Sequence, residues 1–385
     1  MNAFQFQTVP SIVSEFGLSR RLGAFLRENK YQQHRAAVVT DRFLHEGGVI
    51  RPALDNLREQ GFELIVIDNI IADPPERIVH EAVDRLRHAN IELVIGLGGG
   101  SSLDVAKLTA ILVGSKQPLS EMYGIGKVIG SRLPLILIPT TAGTGSEVTP
   151  IAVITTGEAT KMGVVSPVLY ADLALLDAEL TLGLPPKATA ATGIDAMVHA
   201  IEAYTSKHKK NPVSDALAKA ALGLLVPNLV TACRNGRDRN AREAMLLGAM
   251  LAGQAFANAP VAAVHALAYP IGGIFHVPHG HSNALVLPHV LRFNLGAAAP
   301  LYAELAEVIV PGVSGSPEQK AHAFVDHLER LAEQVGIETR LRQVGVAETD
   351  LERMAADAMK QTRLLVNNPR EVSEADALAI YRAAW

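Results

Sequence analysis

Four side chains able to bind a metal lie at two places in the second half of the chain. Asp195 and His199 are four residues apart in TGIDAMVHAIEAY, a stretch with helical periodicity, so on a helix they share one face. His265 and His279 follow in VHALAYPIGGIFHVPHGH. The first is predicted on a helix, and the second, between a proline and a glycine, in a loop. Together the four predict a site for a single divalent ion.

Three imidazoles and one carboxylate suit a borderline first-row ion such as Fe(II) or Zn(II). Four protein ligands would resemble a closed structural zinc site unless the ion accepts a fifth, which Fe(II) does readily. The pattern therefore favours Fe(II), with Zn(II) as the alternative. Glu202 is three residues beyond His199 and could join the ligands, but it is predicted to face solvent or to cap this network. The structural alternative, histidines that only pack in a core, is disfavoured because three of them accompany Asp195.

A glycine-rich loop in the first half suits a pyrophosphate. Residues 91–107 read IELVIGLGGGSSLDVAK, in which a buried strand leads into Gly98, Gly99 and Gly100 and a helix opens at Ser101 or the next residue. Glycines let the backbone approach a ligand closely, and the free amides of a helix N-terminus favour an anion. Because Ser101 replaces the third glycine of the dinucleotide fingerprint, a purely structural turn is the alternative.

A second polar loop follows the next strand, where residues 139–150 read PTTAGTGSEVTP. Its hydroxyl side chains Thr140, Thr141, Thr144 and Thr149 are predicted at the carboxyl end of a parallel strand, where such sheets bind ligands. A locally capped turn is the alternative. Two polar loops at one sheet edge favour a ligand site.

Asp41 directly follows the strand AAVVT. A carboxylate at that position can accept hydrogen bonds from both hydroxyls of an adenosine ribose and would repel a 2′-phosphate. Asp41 therefore predicts NAD rather than NADP, although an acid at this place can also serve only as a helix cap.

The elements that carry these residues change character along the chain. Residues 35–180 alternate continuous apolar strands (36–40, 62–67, 91–95 and 135–138) with helical patterns (49–60, 75–88 and 101–113). This order predicts a doubly wound parallel sheet covered by helices. After Leu184-Pro185-Pro186 the strand-like runs nearly vanish and helical periodicity continues to the end. The sequence thus predicts an α/β dinucleotide-binding domain at 1–184 and an all-helical metal-binding domain at 185–385.

Composition excludes several classes of protein. The 385 residues carry a formal net charge of -4, which is unlike a nucleic-acid-binding surface. The N-terminus does not resemble a secretory signal, and the longest apolar runs have strand length, so no membrane association is expected. The only cysteine, Cys233, excludes an intramolecular disulfide and fits a reducing cytoplasm, and its apolar helical context indicates packing rather than catalysis.

Taken together, the motifs resemble the iron-containing, or group III, alcohol dehydrogenase family over essentially the whole chain. The matching segments are GGGSSLDVAK at 98–107, PTTAGTGSEVT at 139–149, TAATGIDAMVHAIEAY at 189–204, HALAYP at 265–270, VPHGHSNALVLPHV at 277–290 and NNPR at 367–370. The resemblance implies an active site between the two domains, the same four metal ligands, Lys161 in the NAD site, and a homodimer or larger homo-oligomer. It implies hydride transfer between NAD(H) and a small alcohol, aldehyde, ketone or hydroxyacid.

Two positions depart from the family pattern. Tyr269 stands where many members have a histidine proposed as a proton relay, and we expect the phenol to shape the pocket or to donate a hydrogen bond. Asp73 begins Asp-Pro-Pro where the family often has Asn between prolines. Tyr269 before Pro270 also resembles hydroxyacid–oxoacid transhydrogenases, in which bound NAD carries hydride between two substrates. A dehydroquinate-synthase-like lyase and a binding protein with a decayed site are further alternatives.

Overall fold

The computed structural model describes residues 3–157 and 160–385, which divide into two compact units. One unit comprises Thr8–Thr141 and Gly145–Gly183, and the other comprises Leu184–Trp385, Ala142–Thr144 and residues 3–7. The predicted fold class, a parallel-sheet α/β domain followed by helices, is confirmed. The sequence-based boundary between residues 184 and 185 stays a prediction.

The first unit contains all nine strands of the described chain. They are β1 (Ile12–Ser14), β2 (Arg35–Asp41), β3 (Glu63–Ile70), β4 (Leu93–Gly98), β5 (Gly124–Ile125), β6 (Leu135–Pro139), β7 (Ile151–Thr156), β8 (Thr160–Val165) and β9 (Leu173–Leu176). Six of them form a wholly parallel sheet in the order β1-β9-β6-β4-β2-β3. Its central strands β4 and β6 are completely buried, as their continuous apolar runs predict.

Helices of the first unit connect these strands. They are α1 (Leu22–Glu28), α2 (Arg42–Glu46), α3 (Arg51–Glu59), α4 (Glu76–Leu86) and α5 (Gly100–Leu112). The chain passes from β2 outward to β3 and then returns to the opposite side of β2 at β4. The reversal in strand order therefore lies between β2 and β4, and doubly wound sheets bind their ligands at the carboxyl ends of such a pair.

A smaller sheet, which the sequence did not reveal, lies beside the large one within this unit. β7 and β8 form an antiparallel hairpin, and the short β5 pairs with β8 in parallel. Both hairpin strands are only partly buried. The apolar run at 151–154 in β7 was not predicted as a strand, and β8 mixes polar with apolar residues.

Helices are the main regular secondary structure of the second unit, and its described residues contain no strand. Its helices are α6 (Pro186–Thr205), α7 (Pro212–Arg234), α8 (Arg239–Asn258), α9 (Ala263–Phe275), α10 (His279–Ile309), α11 (Pro317–Gln334), α12 (Leu351–Ala358), α13 (Thr362–Leu365) and α14 (Glu374–Ala384). Judged by length and composition alone, α7 and α10 are each long and apolar enough to cross a membrane. The sequence, whose longest apolar runs have only strand length, had predicted no membrane association. Here α7 packs against α6 and α8, and α10 against α6, α9 and α11.

Candidate metal centre and cofactor loops

Three helices of the second unit bring the predicted metal ligands together. Asp195 and His199 lie one turn apart on α6, and His265 lies near the start of α9. His279 is the first residue of α10, so its predicted loop placement is wrong. Pro278 ends the preceding loop in an extended conformation and so starts the helix. A Cβ atom on Gly280 would overlap the carbonyl oxygen of Ala191, because α10 begins in close contact with α6.

The donor atoms of the four residues converge on one carboxylate oxygen. Asp195 Oδ1 lies 3.6 Å from His279 Nε2, 3.8 Å from His265 Nε2 and 3.9 Å from His199 Nε2. One donor atom from each of Asp195, His265 and His279 lies within 4.8 Å of the other two, a spacing that one ion can bridge. The ring of His199 stacks on that of His265, with ring centroids 4.9 Å apart, and on that of Phe256, with ring centroids 4.3 Å apart.

Glu202 orients His265 from behind the cluster. Its Oε2 lies 2.7 Å from His265 Nδ1, and its Oε1 accepts a 2.7 Å hydrogen bond from the backbone N–H of Val264. The side chain is buried, so the prediction that Glu202 faces solvent is wrong, and the alternative that it caps the network describes its contacts. When Nδ1 donates to Glu202, the Nε2 lone pair of His265 is left for a metal.

Asn283 is a further polar residue at the cluster, and sequence reasoning missed it. It is fully buried on α10, one turn after His279. Its Nδ2 donates a 2.6 Å hydrogen bond to Asp195 Oδ1 and lies 3.3 Å from His265 Nε2 and 3.4 Å from His279 Nε2. Asn283 is four residues after His279, a spacing that places both side chains on one face only if the segment is a helix.

The electrostatics of the cluster favour the protonation states that a metal needs. Burial opposes ionisation of Asp195, but the neighbouring histidines and the Asn283 amide outweigh it and lower the pKa of this carboxyl. Burial lowers the pKa of His199 to about 3, although Asp195 opposes this shift. At neutral pH the site therefore offers a carboxylate and an unprotonated imidazole.

This donor set fits a divalent first-row ion. One carboxylate oxygen and the imidazole nitrogens of His265 and His279 lie within 4.8 Å of one another, and His199 Nε2 lies 3.9 Å from the same carboxylate oxygen. The rings of His199 and His265 are held by stacking and by a carboxylate contact. The side chains of Asp195, His199 and His265 are almost wholly buried, whereas that of His279 is 40% exposed. A small molecule can therefore reach the cluster from the His279 side.

We expect Glu202→Gln to weaken metal binding about 10- to 100-fold, the usual effect of removing a carboxylate that orients a ligating histidine. The amide can still accept from one N–H, but it lacks the charge that fixes His265 with its proton on Nδ1. Chelator competition on the purified protein measures the dissociation constant directly. Glu304→Gln, which alters an exposed carboxylate of α10, is the control, and equal metal affinity in both variants would contradict this role.

The predicted phosphate-binding loop lies at the reversal point of the first unit. Gly98 ends β4, Gly99 precedes α5 in an extended conformation, and Gly100 and Ser101 open that helix. A Cβ on Gly98 would lie 2.7 Å from the side chain of Ser102, so the strand-to-helix turn requires glycine there. The free amides of α5 thus lie at the carboxyl end of the sheet, as phosphate binding requires.

Asp41 and the first threonines lie at the same edge of this sheet. Asp41 ends β2, the neighbour of β4, and its Oδ1 accepts a 2.9 Å hydrogen bond from the Leu44 backbone N–H. The side chain therefore caps α2 and keeps a second oxygen for other partners. Thr140 and Thr141 follow β6 on the other side of β4, and the Thr140 N–H donates to the Gly98 carbonyl at 3.0 Å.

A buried ammonium group ties the second loop to α5. Lys107 Nζ lies 2.8 Å from Ser146 Oγ, 3.3 Å from Thr149 Oγ1, 2.6 Å from the Ile151 carbonyl and 3.4 Å from Asp104 Oδ1. Burial lowers the pKa of Lys107, and Asp104 opposes that shift. Sequence reasoning missed Lys107, since most lysines are exposed.

The remaining predicted cofactor residues do not directly follow the strands β2, β4 or β6. Thr149 is buried with its hydroxyl in the Lys107 network, and Lys161 on β8 forms an ion pair with Asp73. Thr144 belongs with Ala142 and Gly143 to the helical unit. Tyr269 lies one turn beyond His265 on α9, with its ring 6.0 Å from that of His279.

We expect Asp41→Asn to lower the preference for NAD over NADP at least about tenfold, because a repulsion of a few kcal/mol toward a 2′-phosphate disappears. Asparagine keeps the cap on α2, so stability should change little. The measurement is kcat/KM for both cofactors. Equal use of NAD and NADP by the unaltered protein would contradict the assigned role of Asp41.

Comparison with known proteins identifies the same family in both halves of the chain. The model of the family described as "Iron-containing alcohol dehydrogenase" matches residues 10–178. The model described as "Fe-containing alcohol dehydrogenase family, C-terminal" matches residues 189–385. The long-chain-alcohol dehydrogenase 1 of Geobacillus thermodenitrificans is 43% identical over 352 residues, which are 90% of this chain and 89% of that protein.

Two solved structures have the same fold over the full chain. That of 1,3-propanediol oxidoreductase is 34% identical, with a TM-score of 0.95 and 100% of both chains covered. That of the sulfoacetaldehyde reductase from Bifidobacterium kashiwanohense in complex with NAD+ is 28% identical, with a TM-score of 0.90 and 100% and 99% of the two chains covered.

Proposed function

Because this chain belongs to the iron-containing alcohol dehydrogenase family, we propose that Asp195, His199, His265 and His279 hold its catalytic ion. Fe(II) is the proposed occupant, with Zn(II) as the alternative. The observation that carries this assignment is the convergence of three imidazole nitrogens on one buried carboxylate oxygen, at 3.6–3.9 Å.

The protein is an oxidoreductase that interconverts alcohols with aldehydes or ketones and uses NAD(H). When bound, the ion supplies a Lewis acid for the substrate oxygen, and NAD accepts the hydride. The residues of the chain keep three ligands away from water and leave the His279 side open for the substrate. Glu202 and Asn283 hold His265 and Asp195 in position by hydrogen bonds.

Tyr269 is proposed to border the substrate rather than to act as a base. Burial raises the pKa of its phenol, while the nearby Arg363 guanidinium opposes the shift. A phenol with a raised pKa keeps its proton at neutral pH, so Tyr269 can donate a hydrogen bond to the substrate but is a poor proton acceptor.

The NAD site is proposed at the reversal point of the parallel sheet. Gly98, Gly99, Gly100 and Ser101 would bind the pyrophosphate through backbone amides, and Asp41 would accept from the adenosine ribose. Further side chains proposed to line the site are Thr140, Thr141, Thr144, Thr149 and Lys161. The proposed domains are residues 1–184 for NAD and 185–385 for the metal, which the two compact units support.

A metal-replete screen tests the function. Purified protein loaded anaerobically with Fe(II), or in parallel with Zn(II), is offered NAD and short alcohols, diols and hydroxyacids while NADH formation is followed. We expect turnover that disappears after chelation and returns when metal is restored. Turnover without added NAD would instead indicate a transhydrogenase, and unchanged turnover after complete removal of metal would contradict the proposed centre.

We also propose a cytoplasmic enzyme that assembles as a homodimer or a larger homo-oligomer. Burial raises the pKa of the Cys233 thiol to about 11, so this cysteine stays protonated and unreactive, in keeping with a reducing compartment. Light scattering of the purified protein measures the assembly state.

A further inference from the structure

The segment NNPR at 367–370 lies between α13 and α14, away from the residues that the proposed reaction uses. Both of its asparagines, Asn367 and Asn368, are buried. A buried amide is stable only with hydrogen-bond partners, so the partners of this segment show what it holds in place. Apart from carbonyls close by in sequence, they belong to α6, α9 and α10 or to the loops next to these helices. These are the three helices that carry the proposed metal ligands.

The side chain of Asn367 fixes the start of α9. Its Nδ2 donates a 3.0 Å hydrogen bond to the carbonyl of Val261, which lies two residues before the helix. The N-cap of α9 is Ala262, whose side chain cannot accept a hydrogen bond from the free amides of the first turn. The start of α9, and with it His265, is therefore held by residues distant in sequence, which are Asn367 and the Glu202 carboxylate.

The next residues of the segment attach it to α10. Asn368 Nδ2 donates to Asn294 Oδ1 at 2.8 Å, and Asn294 Nδ2 donates back to Asn368 Oδ1 at 3.0 Å, so the two buried amides pair in both directions. Arg370 Nη1 donates to the Phe293 carbonyl at 3.0 Å, and its guanidinium lies 3.9 Å from the centroid of the Phe293 ring. Both contacts reach the middle of α10, the helix that begins with His279.

The backbone of Asn367 also holds the end of α6. The N–H of Lys207, two residues beyond this helix, donates to the Asn367 carbonyl at 2.8 Å. Because α6 carries Asp195 and His199, the helices that supply all four proposed ligands are joined to four consecutive residues. Metal–ligand distances tolerate deviations of only about 0.2 Å, so a small shift of one helix against the others weakens binding.

We propose that Asn367 and Asn368 are positioning residues for the metal centre, which set the spacing of the ligands by holding α6, α9 and α10 together. Asn367 acts mainly through His265, because it fixes the start of α9. Asn368 acts through α10, which carries His279. This inference rests on the proposed function, since it assumes that an ion binds to the four ligands. It predicts that both asparagines govern metal affinity although neither is a ligand.

Chelator competition with Co(II), and with Fe(II) under anaerobic conditions, measures this effect. We expect Asn367→Asp to raise the metal dissociation constant about tenfold, at the lower end of the effect of losing an outer-shell partner, because the introduced carboxylate faces the Val261 carbonyl. Asn368→Asp should act in the same direction, since Asn294 Oδ1 loses its donor. The visible absorption of bound Co(II), which reports the ligand geometry, should change in both variants. Asn367→Ala removes the donor without adding a charge and replaces Asn367→Asp if that variant does not fold.

A control variant separates positioning from a general loss of stability. Val325→Ala truncates a buried apolar side chain of α11, a helix that carries no proposed ligand. It should lower the melting temperature of the metal-free protein and leave the metal dissociation constant and the Co(II) spectrum unchanged. The proposal is overturned if the dissociation constant depends on the melting temperature in the same way in the Val325, Asn367 and Asn368 variants.

The double variant Asn367→Asp/Glu202→Gln tests the route through His265. Both residues hold the start of α9, so the combined rise in the dissociation constant should be smaller than the product of the two single effects. The full product would contradict a shared route. Normal metal binding by the unaltered protein with the same affinity in Asn367→Asp would overturn the positioning role alone, whereas an unaltered protein that binds no ion would overturn the proposed function.

Discussion

His279→Ala and His199→Ala should each lose most of the bound metal and lower NAD-linked turnover at least about 10³-fold. Metal catalysis stabilises the transition state by several kcal/mol, and each 1.36 kcal/mol corresponds to a factor of ten in rate. Each substitution removes a nitrogen within 4 Å of Asp195 Oδ1 and leaves that buried carboxylate with fewer neighbours. Elemental analysis of the purified proteins measures the metal, and NADH formation measures the rate.

A control for this prediction lies three residues before His279. His276 is exposed at the end of α9 with φ 58, a conformation that asparagine tolerates better than alanine, so His276→Asn removes an imidazole with little strain. His276→Asn should keep its metal and its activity, as should His281→Ala, whose ring contacts Glu338. Full metal content in His279→Ala would contradict the assignment of the ligands.

The pairing of Asp195 with His199 in the proposed site was predictable because of a regular local geometry. Asp195 and His199 have helical spacing, and α6 places both on one face, as that spacing requires. His279 was predicted as a ligand but assigned to a loop, since Pro278 and Gly280 were interpreted as turn residues. The same error hid Asn283, whose spacing from His279 brings it into the cluster only because α10 begins at His279.

The long-range contacts of the site could not be predicted from spacing. Glu202 contacts a histidine 63 positions away, and Lys107 contacts a serine 39 positions away. Such pairs depend on how the helices pack, which a single sequence does not encode as a periodic pattern. The main sheet was easier, because its buried strands are continuous apolar runs, whereas the partly buried β8 mixes polar with apolar residues and the short apolar run of β7 was overlooked.

Lys107→Met should lower the free energy of unfolding by about 3–5 kcal/mol, the usual cost of removing one partner of a buried ion pair. Methionine fills similar space but leaves Asp104 with the Ser146 hydroxyl and the Val153 N–H as its hydrogen-bond donors. The loop from Ser146 to Ile151 also loses its attachment to α5, so the KM for NAD should rise while the metal content stays unchanged. Urea unfolding and steady-state kinetics measure the two effects.

The loss of stability in Lys107→Met should be greater at pH 8 than at pH 5.5, because of Glu147. Burial raises the pKa of this carboxyl to about 7, although the charge of Lys107 opposes the shift. A carboxyl whose folded pKa lies above its unfolded value binds more protons in the folded state, so stability falls as pH rises from about 4.5 through 7. Without Lys107 the folded pKa rises further, so that fall extends to higher pH and its total size increases. Asp104→Asn in the Lys107→Met background should restore part of the stability, and Lys116→Met, an exposed lysine, should change it by less than about 0.5 kcal/mol. A loss of similar size in the Lys116 and Lys107 variants would contradict the buried pair as its cause.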